Sequence, residues 1–533
     1  MKTANTLVMA GLAAFFGMQG AMAQPGPART PPEQLGKVHF PTSCSPAVEK
    51  QFDRAMTLLH SFWAKDAIEG FIDVARQDPD CAIAYWGIAM AVQQNPLTGQ
   101  EPNANATKDA LTGLDRAKAI GARTQRERDY LAAIDLIYRD ADKIEFRARR
   151  LAYEKAMEAL AQRYPEDTEA AIFYALSLDM TAQLTDKTYA NQLKAAAILE
   201  KVLKQQPEHP GVAHYLIHSY DYPPIAERGL PAARLYAQIA PNHPHALHMP
   251  SHIFTRRGMW QDSIDTNLRS AAAAKAENNG QEQAHAMDYL VHAYLQLGED
   301  AEAKRVVAES ASIKVNPAIF IGHYALAAMP ARYAMERRAW AEAIALQPRT
   351  TPFLFPDAIT HFARGIGYAR SGDAASARKE ESRLGELRDG LVQQKNTYWS
   401  NQVEVQRLAV NAWAALAQGA QADALKSMRA AADLEDSMEK HIVTPSSVVP
   451  ARELLGEMLL ETKQTAEALK AFEASAQREP NRYRGVYGAA QAAALSGDRD
   501  KARTYYAKFI ALTEKADRAR PELQLAKAYL AQR

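Results

Sequence analysis

Apolar and small residues recur along this chain at intervals of three and four positions, which is the spacing of amphipathic helices. From about residue 48 onward these stretches are short, and glycine or proline turn signals separate them. Strand-like alternation of apolar and polar residues is scarce. At 533 residues the chain is also too long to fold around one compact core. The pattern therefore predicts an all-α protein built from many helices.

The helical pattern repeats with a period of 34 residues. The first unit follows the spacing Ala-x3-Phe-x7-Pro through Ala67, Phe71 and Pro79. The same frame returns, with substitutions, at these positions: Ala195, Leu199 and Pro207; Gly229, Ala233 and Pro241; Ala468, Phe472 and Pro480; Ala502 and Tyr506. Self-similarity at a fixed period indicates a solenoid in which each helical hairpin stacks on the next.

These repeats resemble tetratricopeptide (TPR) repeats, and the resemblance covers nearly all of the mature chain. The blocks HYLIH (214–218) and HMPSHIF (248–254) look like those of a subgroup of bacterial exported TPR proteins. The resemblance implies a right-handed superhelical solenoid of antiparallel helix pairs, whose first helices line a concave groove. TPR motifs are specific for a fold and almost silent on chemistry, so the function must come from other residues.

The repeats suggest an organisation in five segments. We expect a signal peptide over 1–23, a Pro-rich linker over 24–45, N-terminal helical repeats over 46–165, central TPR repeats with a histidine-rich concave face over 166–310, and C-terminal TPR repeats over 311–533. The repeat boundaries are least regular between 97 and 165.

The N-terminus reads as a targeting segment. Lys2 precedes an apolar run over Leu7–Phe16, and Ala21-Met22-Ala23 is a small-x-small cleavage site. The run is too short to span a bilayer. We therefore expect an exported protein that is periplasmic or secreted and does not span the membrane; the alternative is an uncleaved anchor.

The chain has two cysteines, Cys44 and Cys81. In an oxidising compartment such a pair suggests a disulfide, and the alternative is two buried thiols. The net charge of +1 provides no field to recruit nucleic acid, so no nucleic-acid partner is expected. P-loop, Gly-x-Ser-x-Gly and His-Glu-x-x-His motifs do not occur in the sequence.

Histidines concentrate in one stretch of the repeat frame. Eight of the chain's 14 histidines lie between His214 and His292. His214 and His218 are four positions apart, so they share one helix face, and His248 and His252 repeat the pair 34 positions later. In the next repeat Asp288 and His292 take the matching places, and His285 corresponds to His245.

A pair of histidines four apart on a helix is a familiar chelate for divalent Zn, Cu, Ni or Fe. We expect His214, His218, His248 and His252 to bind metal in the groove, with His285 and Asp288 as further ligands or supporting groups. His245, His292, Tyr215 and Tyr289 are candidates for the groove wall or for hydrogen bonds to the ligands. Pro250 is the main threat to this arrangement, because a kink there would separate His248 from His252.

Several interpretations remain open from the sequence. Either two of the three repeats bind one metal ion and the third supports it, or the protein binds two metal ions. Without metal, the same histidines would line a groove that holds a protein or peptide segment, or would have a structural role alone. The protein is thus a metal-dependent enzyme or carrier, a binding scaffold, or an adaptor, and whether it is an enzyme stays open.

Overall fold

The computed structural model describes residues 34–517 and 520–532, and these residues form helices joined by short turns, without a β-strand. The predicted signal peptide (1–23) and the first part of the predicted linker (24–33) lie outside the described residues. Among the described helices, none combines the length and the hydropathy needed to cross a bilayer.

Twenty-six α-helices make up the described chain. They are α1 Glu49–His60, α2 Ala64–Gln77, α3 Ile83–Val92, α4 Ala104–Ile120, α5 Gln125–Tyr138, α6 Phe146–Arg163, α7 Thr168–Thr181, α8 Ala190–Gln205, α9 Pro210–Tyr220, α10 Leu230–Ile239, α11 Pro244–His248, α12 Pro250–Arg256, α13 Trp260–Ala276, α14 Gly280–Leu297, α15 Asp300–Ser310, α16 Phe320–Glu336, α17 Trp340–Ala345, α18 Leu354–Arg370, α19 Ala374–Gln393, α20 Thr397–Ala417, α21 Gln421–Asp436, α22 Ala451–Glu461, α23 Thr465–Arg478, α24 Tyr483–Leu495, α25 Arg499–Leu512 and α26 Pro521–Ala531.

Each helix packs mainly against its neighbours in sequence and, in alternate positions, against the helix two places away, as α7 does on α9 and α14 on α16. This is the contact pattern of stacked hairpins. The predicted all-α, TPR-type solenoid is confirmed.

The repeat residues explain why the hairpins stack closely. Phe71 of the first motif lies against Gly87 of the following helix, where an added Cβ would sit 2.5 Å from the Phe71 ring. Phe472 stands in the same relation to Gly456 and Gly488. The large residue of one helix therefore fills the space that a missing side chain leaves on its neighbour. A disulfide joins Cys44 and Cys81, as predicted, with the two Cα atoms 4.8 Å apart.

The irregular stretch between α21 and α22, which we call the 437–450 segment, lies against the central helices. The Lys440 ammonium donates to Asp221 Oδ2 at 2.8 Å, and Tyr289 Oη donates to the carbonyl of Thr444 at 3.1 Å. Arg332 donates to the carbonyls of Ser446 and Ser447. The segment thus lies against Tyr289, which the sequence assigned to the groove wall, and against residues near it.

Candidate metal centre

Six of the clustered histidines form two triads. The first triad is His214, His218 and His245, and the second is His248, His252 and His285. Within each triad the nitrogen atoms that would act as ligands all lie within 4.8 Å of one another. All six side chains are buried, with at most 7% of any residue exposed. Each triad combines a pair from one repeat with a single histidine from the next.

The first pair lies on α9, whose start is fixed locally. His209 is the N-cap and its ring accepts from the backbone N–H of Val212, and Pro210 occupies the first turn, where it costs no hydrogen bond. One helical turn separates His214 from His218, so both rings point the same way. Their Nε2 atoms are 3.2 Å apart.

Pro250 does not separate the second pair. Helix α11 ends at His248 and α12 begins at Pro250. Met249 between them also has helical angles (φ −52°, ψ −37°), so the helical path continues from α11 into α12. Proline is tolerated in this place because it forms the first turn of α12. His248 Nε2 and His252 Nε2 lie 3.1 Å apart, and the expected shared face is preserved.

The hydrogen bonds of the second triad fix the tautomers of both paired rings. His248 Nδ1 lies 2.7 Å from Asn267 Oδ1, and the Asn267 amide is oriented by its own donation to the carbonyl of Ser263 at 2.7 Å. His252 Nδ1 lies 3.0 Å from Asp221 Oδ2. Both acceptors require a proton on Nδ1, because an oxygen of this kind cannot donate.

Each Nε2 of this pair therefore carries a lone pair, and the two lone pairs face each other across 3.1 Å. Such a contact is repulsive unless a cation lies between the nitrogens. Two nitrogens held at 2.0–2.1 Å by one tetrahedral Zn²⁺ would be roughly 3.3 Å apart. The pair thus has the spacing and the tautomers that a transition-metal ion requires.

In the first triad one ring is fixed in the same way. His214 Nδ1 donates to the carbonyl of His60 at 2.8 Å, which leaves a lone pair on Nε2. His218 Nε2 and His245 Nε2 each lie 3.2 Å from that atom. One lone pair cannot accept two such short bonds well, whereas one ion can bind all three nitrogens. Glu282 Oε2 lies 3.4 Å from His245 Nδ1 and supports that ring.

Asp221 is the main supporting group behind the second triad. Its carboxylate accepts from His252, from Arg256 Nε at 2.8 Å and from Lys440. Burial by itself would raise the pKa of Asp221, but the charges of Lys440 and Arg256 outweigh it and hold the pKa below its usual value. A carboxylate on the second nitrogen of a ligating histidine orients the ring and makes it a stronger ligand.

Five of the six triad histidines are held in the neutral form that binds metal. Burial is the largest cause in each, and at His252 and His285 it outweighs the carboxylates of Asp221 and Glu282, which would raise the pKa. The pKa of His252 is lowered to about 4 and that of His285 to about 3, while the pKa values of His214, His218 and His248 lie well below 6.5. At neutral pH these rings therefore need not release a proton before they bind a metal ion.

A third buried group, His60, Glu169 and His209, shows the opposite arrangement. Both histidines lie against the Glu169 carboxylate, His60 Nε2 at 2.9 Å and His209 Nε2 at 2.8 Å. The remaining ring nitrogens accept, from Tyr215 Oη and from the backbone of Val212 respectively. Every donor here has an acceptor, so the group is a satisfied hydrogen-bond network. Tyr215 belongs to it rather than to the triads.

The remaining predicted residues lie beside the triads. Asp288 Oδ1 accepts from Arg332 Nε at 3.0 Å, and His292 packs on Trp260 with ring centroids 5.3 Å apart. Tyr289 packs edge-on against His248 at 4.6 Å. His245, expected in the groove wall, stands in the first triad instead, and its repeat counterpart His285 stands in the second.

Sequence reasoning missed the groups that orient the ligands. Asp221 follows His218 by three residues, and that local signal was available. Asn267 and the His60 carbonyl come from other helices, and Lys440 lies 219 positions from Asp221, so no local pattern points to them.

Comparisons with known proteins add little to this geometry. No protein-family model and no curated protein matches the chain. Among solved structures, the human IFIT1 dimer with m7Gppp-AAAA is 13% identical, with a TM-score of 0.38 over 82% of this chain and 90% of that one. The IFIT1 dimer with PPP-AAAA gives the same identity and TM-score over 82% and 91%. The RNA ligands belong to IFIT1 and are not carried over to this chain.

Proposed function

We propose that this protein binds two transition-metal ions, one in each histidine triad. The observation that carries the proposal is the pair of unprotonated Nε2 atoms of His248 and His252, 3.1 Å apart, each with its Nδ1 proton committed to an oxygen acceptor. The first triad supports it independently, since His218 and His245 both approach the free lone pair of His214.

The ligand chemistry restricts the metal. Three imidazoles and no carboxylate favour Zn, Cu, Ni or Fe over Mg, Ca or Mn, which prefer oxygen. Three protein ligands also leave a coordination position open, as in catalytic rather than structural zinc sites. An ion in such a site acidifies bound water or binds a substrate atom, so an enzyme or a carrier fits better than a purely structural metal.

The alternative is a histidine-lined groove that binds a peptide, and the burial of the six histidines argues against it. A peptide needs an accessible wall with open backbone or side-chain partners. The six histidines are at most 7% exposed. Lys440 of the 437–450 segment donates to Asp221, the carboxylate that also binds the His252 ring. Another part of the chain thus already lies where such a peptide would bind.

The test is elemental analysis of the protein purified without a histidine tag, beside a His218→Ala, His252→Ala double variant. We expect two equivalents of metal per wild-type chain, either as purified or after loading with Zn, Cu, Ni or Fe salts. The double variant should lose most of it. A wild type that carries no stoichiometric metal and takes none up would refute the proposal.

We further propose that the protein is exported, on the strength of Lys2, the apolar run Leu7–Phe16 and the Ala21-Met22-Ala23 site. The mature chain should then begin at or near Gln24. N-terminal sequencing of the protein from its native host tests this, and an intact Met1 on the exported form would contradict it.

A further inference from the structure

A cleft of about 140 Å³ reaches one member of the first triad, His218. Gly99 and Arg147 are exposed residues of its lining, whereas His218, Tyr222 and His441 are buried. The cleft therefore runs from the surface inward to a histidine that the proposed function assigns to a metal. Its volume is below the 300–1,000 Å³ of pockets for drug-sized ligands, so an occupant must be small.

Two arginines in the lining lack an anionic partner. Arg150 is 9% exposed and donates to the backbone carbonyls of Pro96 and Met180. Arg147 lies three residues earlier on α6 and is exposed. Neither guanidinium forms an ion pair with a carboxylate in the part of the chain that the structure describes. This is unusual here, because most buried arginines of this protein, such as Arg332 and Arg482, have such a pair.

The buried arginine also has an unused donor. Arg150 Nε is buried without a hydrogen-bond partner among the described residues. Burial and the like charge of Arg147 lower the pKa of Arg150 to about 10. An anion in the cleft would relieve both penalties, because it would accept from Nε and offset the two positive charges.

The other lining groups are compatible with an anion. The one carboxyl in the lining, Asp179, accepts from Ser219 Oγ at 2.6 Å, and burial raises its pKa well above the usual value. It therefore adds little negative charge to repel a ligand. His218 Nδ1 is a further buried atom without a partner, while His218 Nε2 faces His214.

We propose that this cleft binds a small oxyanion, a carboxylate or a phosphate, and presents it to the metal held by His214, His218 and His245. The inference rests on the proposed function for the metal, and it adds the substrate class. Arg150 and Arg147 bind the anion, and the open coordination position of the ion receives one of its oxygens.

The experiment uses the full chain loaded with Co²⁺, whose visible absorption reports a change of ligands, and titrates it with acetate and, separately, inorganic phosphate. We expect a saturable spectral change with at least one of the two anions. A response to acetate alone assigns a carboxylate substrate, and a response to phosphate alone assigns a phosphate.

Variants show whether the cleft is responsible. Arg150→Met should weaken anion binding roughly tenfold or more, since a hydrogen bond to a charged group is lost. Arg147→Met, at an exposed position that should not disturb folding, should weaken it about two- to fivefold. Arg503→Met, an exposed arginine of α25, is the matched control for net charge and should leave the affinity unchanged.

The two proposals fail in different ways. Cobalt uptake without a saturable anion response, or with equal anion affinity in Arg147→Met, Arg150→Met and wild type, overturns the oxyanion cleft and leaves the metal centre standing. A protein that takes up neither Co²⁺ nor any of Zn, Cu, Ni and Fe overturns both.

Discussion

The tautomer of each histidine separates the metal-ready rings from the structural ones. In the triads the Nδ1 protons of His214, His248 and His252 go to oxygen acceptors, so the Nε2 lone pairs converge. In the His60–Glu169–His209 network both histidines donate to the carboxylate, and nothing is left over. Burial is similar in the two groups, so hydrogen bonding rather than burial distinguishes a ligand from a packed histidine.

Asp221 gives a prediction at this scale. Asp221→Asn removes the carboxylate behind His252, and the loss of such a group commonly weakens metal affinity about 10- to 100-fold. We expect that loss for one of the two ions in a competition titration with a chelator. Asp288→Asn is the matched control: Asp288 pairs with Arg332 outside the triads, so affinity and stoichiometry should not change. A fall in affinity for Asp288→Asn alone would instead make Asp288 the ligand.

The buried neutral histidines also set a pH dependence for the metal-free protein. The pKa values of His243 and His285 are lowered to about 3 and those of His252 and His441 to about 4, against about 6.5 in an unfolded chain. Below pH 6.5 the unfolded state thus binds more protons than the folded state, so stability falls as the pH falls.

Each such group contributes up to about 1.4 kcal/mol per pH unit in this window. The melting temperature of the metal-free protein should therefore drop steadily between pH 7 and pH 5. His441→Phe, at a site among Phe320 and Trp399, should make the drop shallower. A melting temperature that is constant or rises towards pH 5 would rule out this explanation.

At the scale of helices, the sequence predicted the pairs and missed how they combine. The spacing of His214 with His218, and its echo 34 residues later, was enough to place each pair on one helix face. It could not show that the third member of each triad comes from the next repeat, because that depends on the distance between packed helices. The sequence named His285 as a further ligand or supporting group, but it placed its counterpart His245 only in the groove wall.

Helix α14 offers a test of this assignment, since it carries two buried histidines with different roles. His285→Ala removes a ligand of the second triad, so bound metal should fall from two equivalents to one. His292→Ala removes a ring that packs on Trp260 outside both triads, so two equivalents should remain. Elemental analysis of both variants tests this assignment. If His292→Ala loses one equivalent and His285→Ala loses none, His292 rather than His285 is the ligand.

For the whole molecule, periodicity predicted the solenoid well, because each hairpin contacts mainly its neighbours and a local pattern therefore carries most of the fold. What it could not predict is the 437–450 segment, whose contacts join residues far apart in sequence, such as Lys440 with Asp221 and Arg332 with Ser446. This segment lies against the residues beside the second triad, where the sequence predicted a groove wall.

The most direct test of the central claim is a crystal of the metal-loaded protein, measured at and just below the absorption edge of the bound metal. Two anomalous peaks are expected, one among the ring nitrogens of His214, His218 and His245, the other among those of His248, His252 and His285. Peaks elsewhere in the chain, or no peak within either triad, would contradict the account.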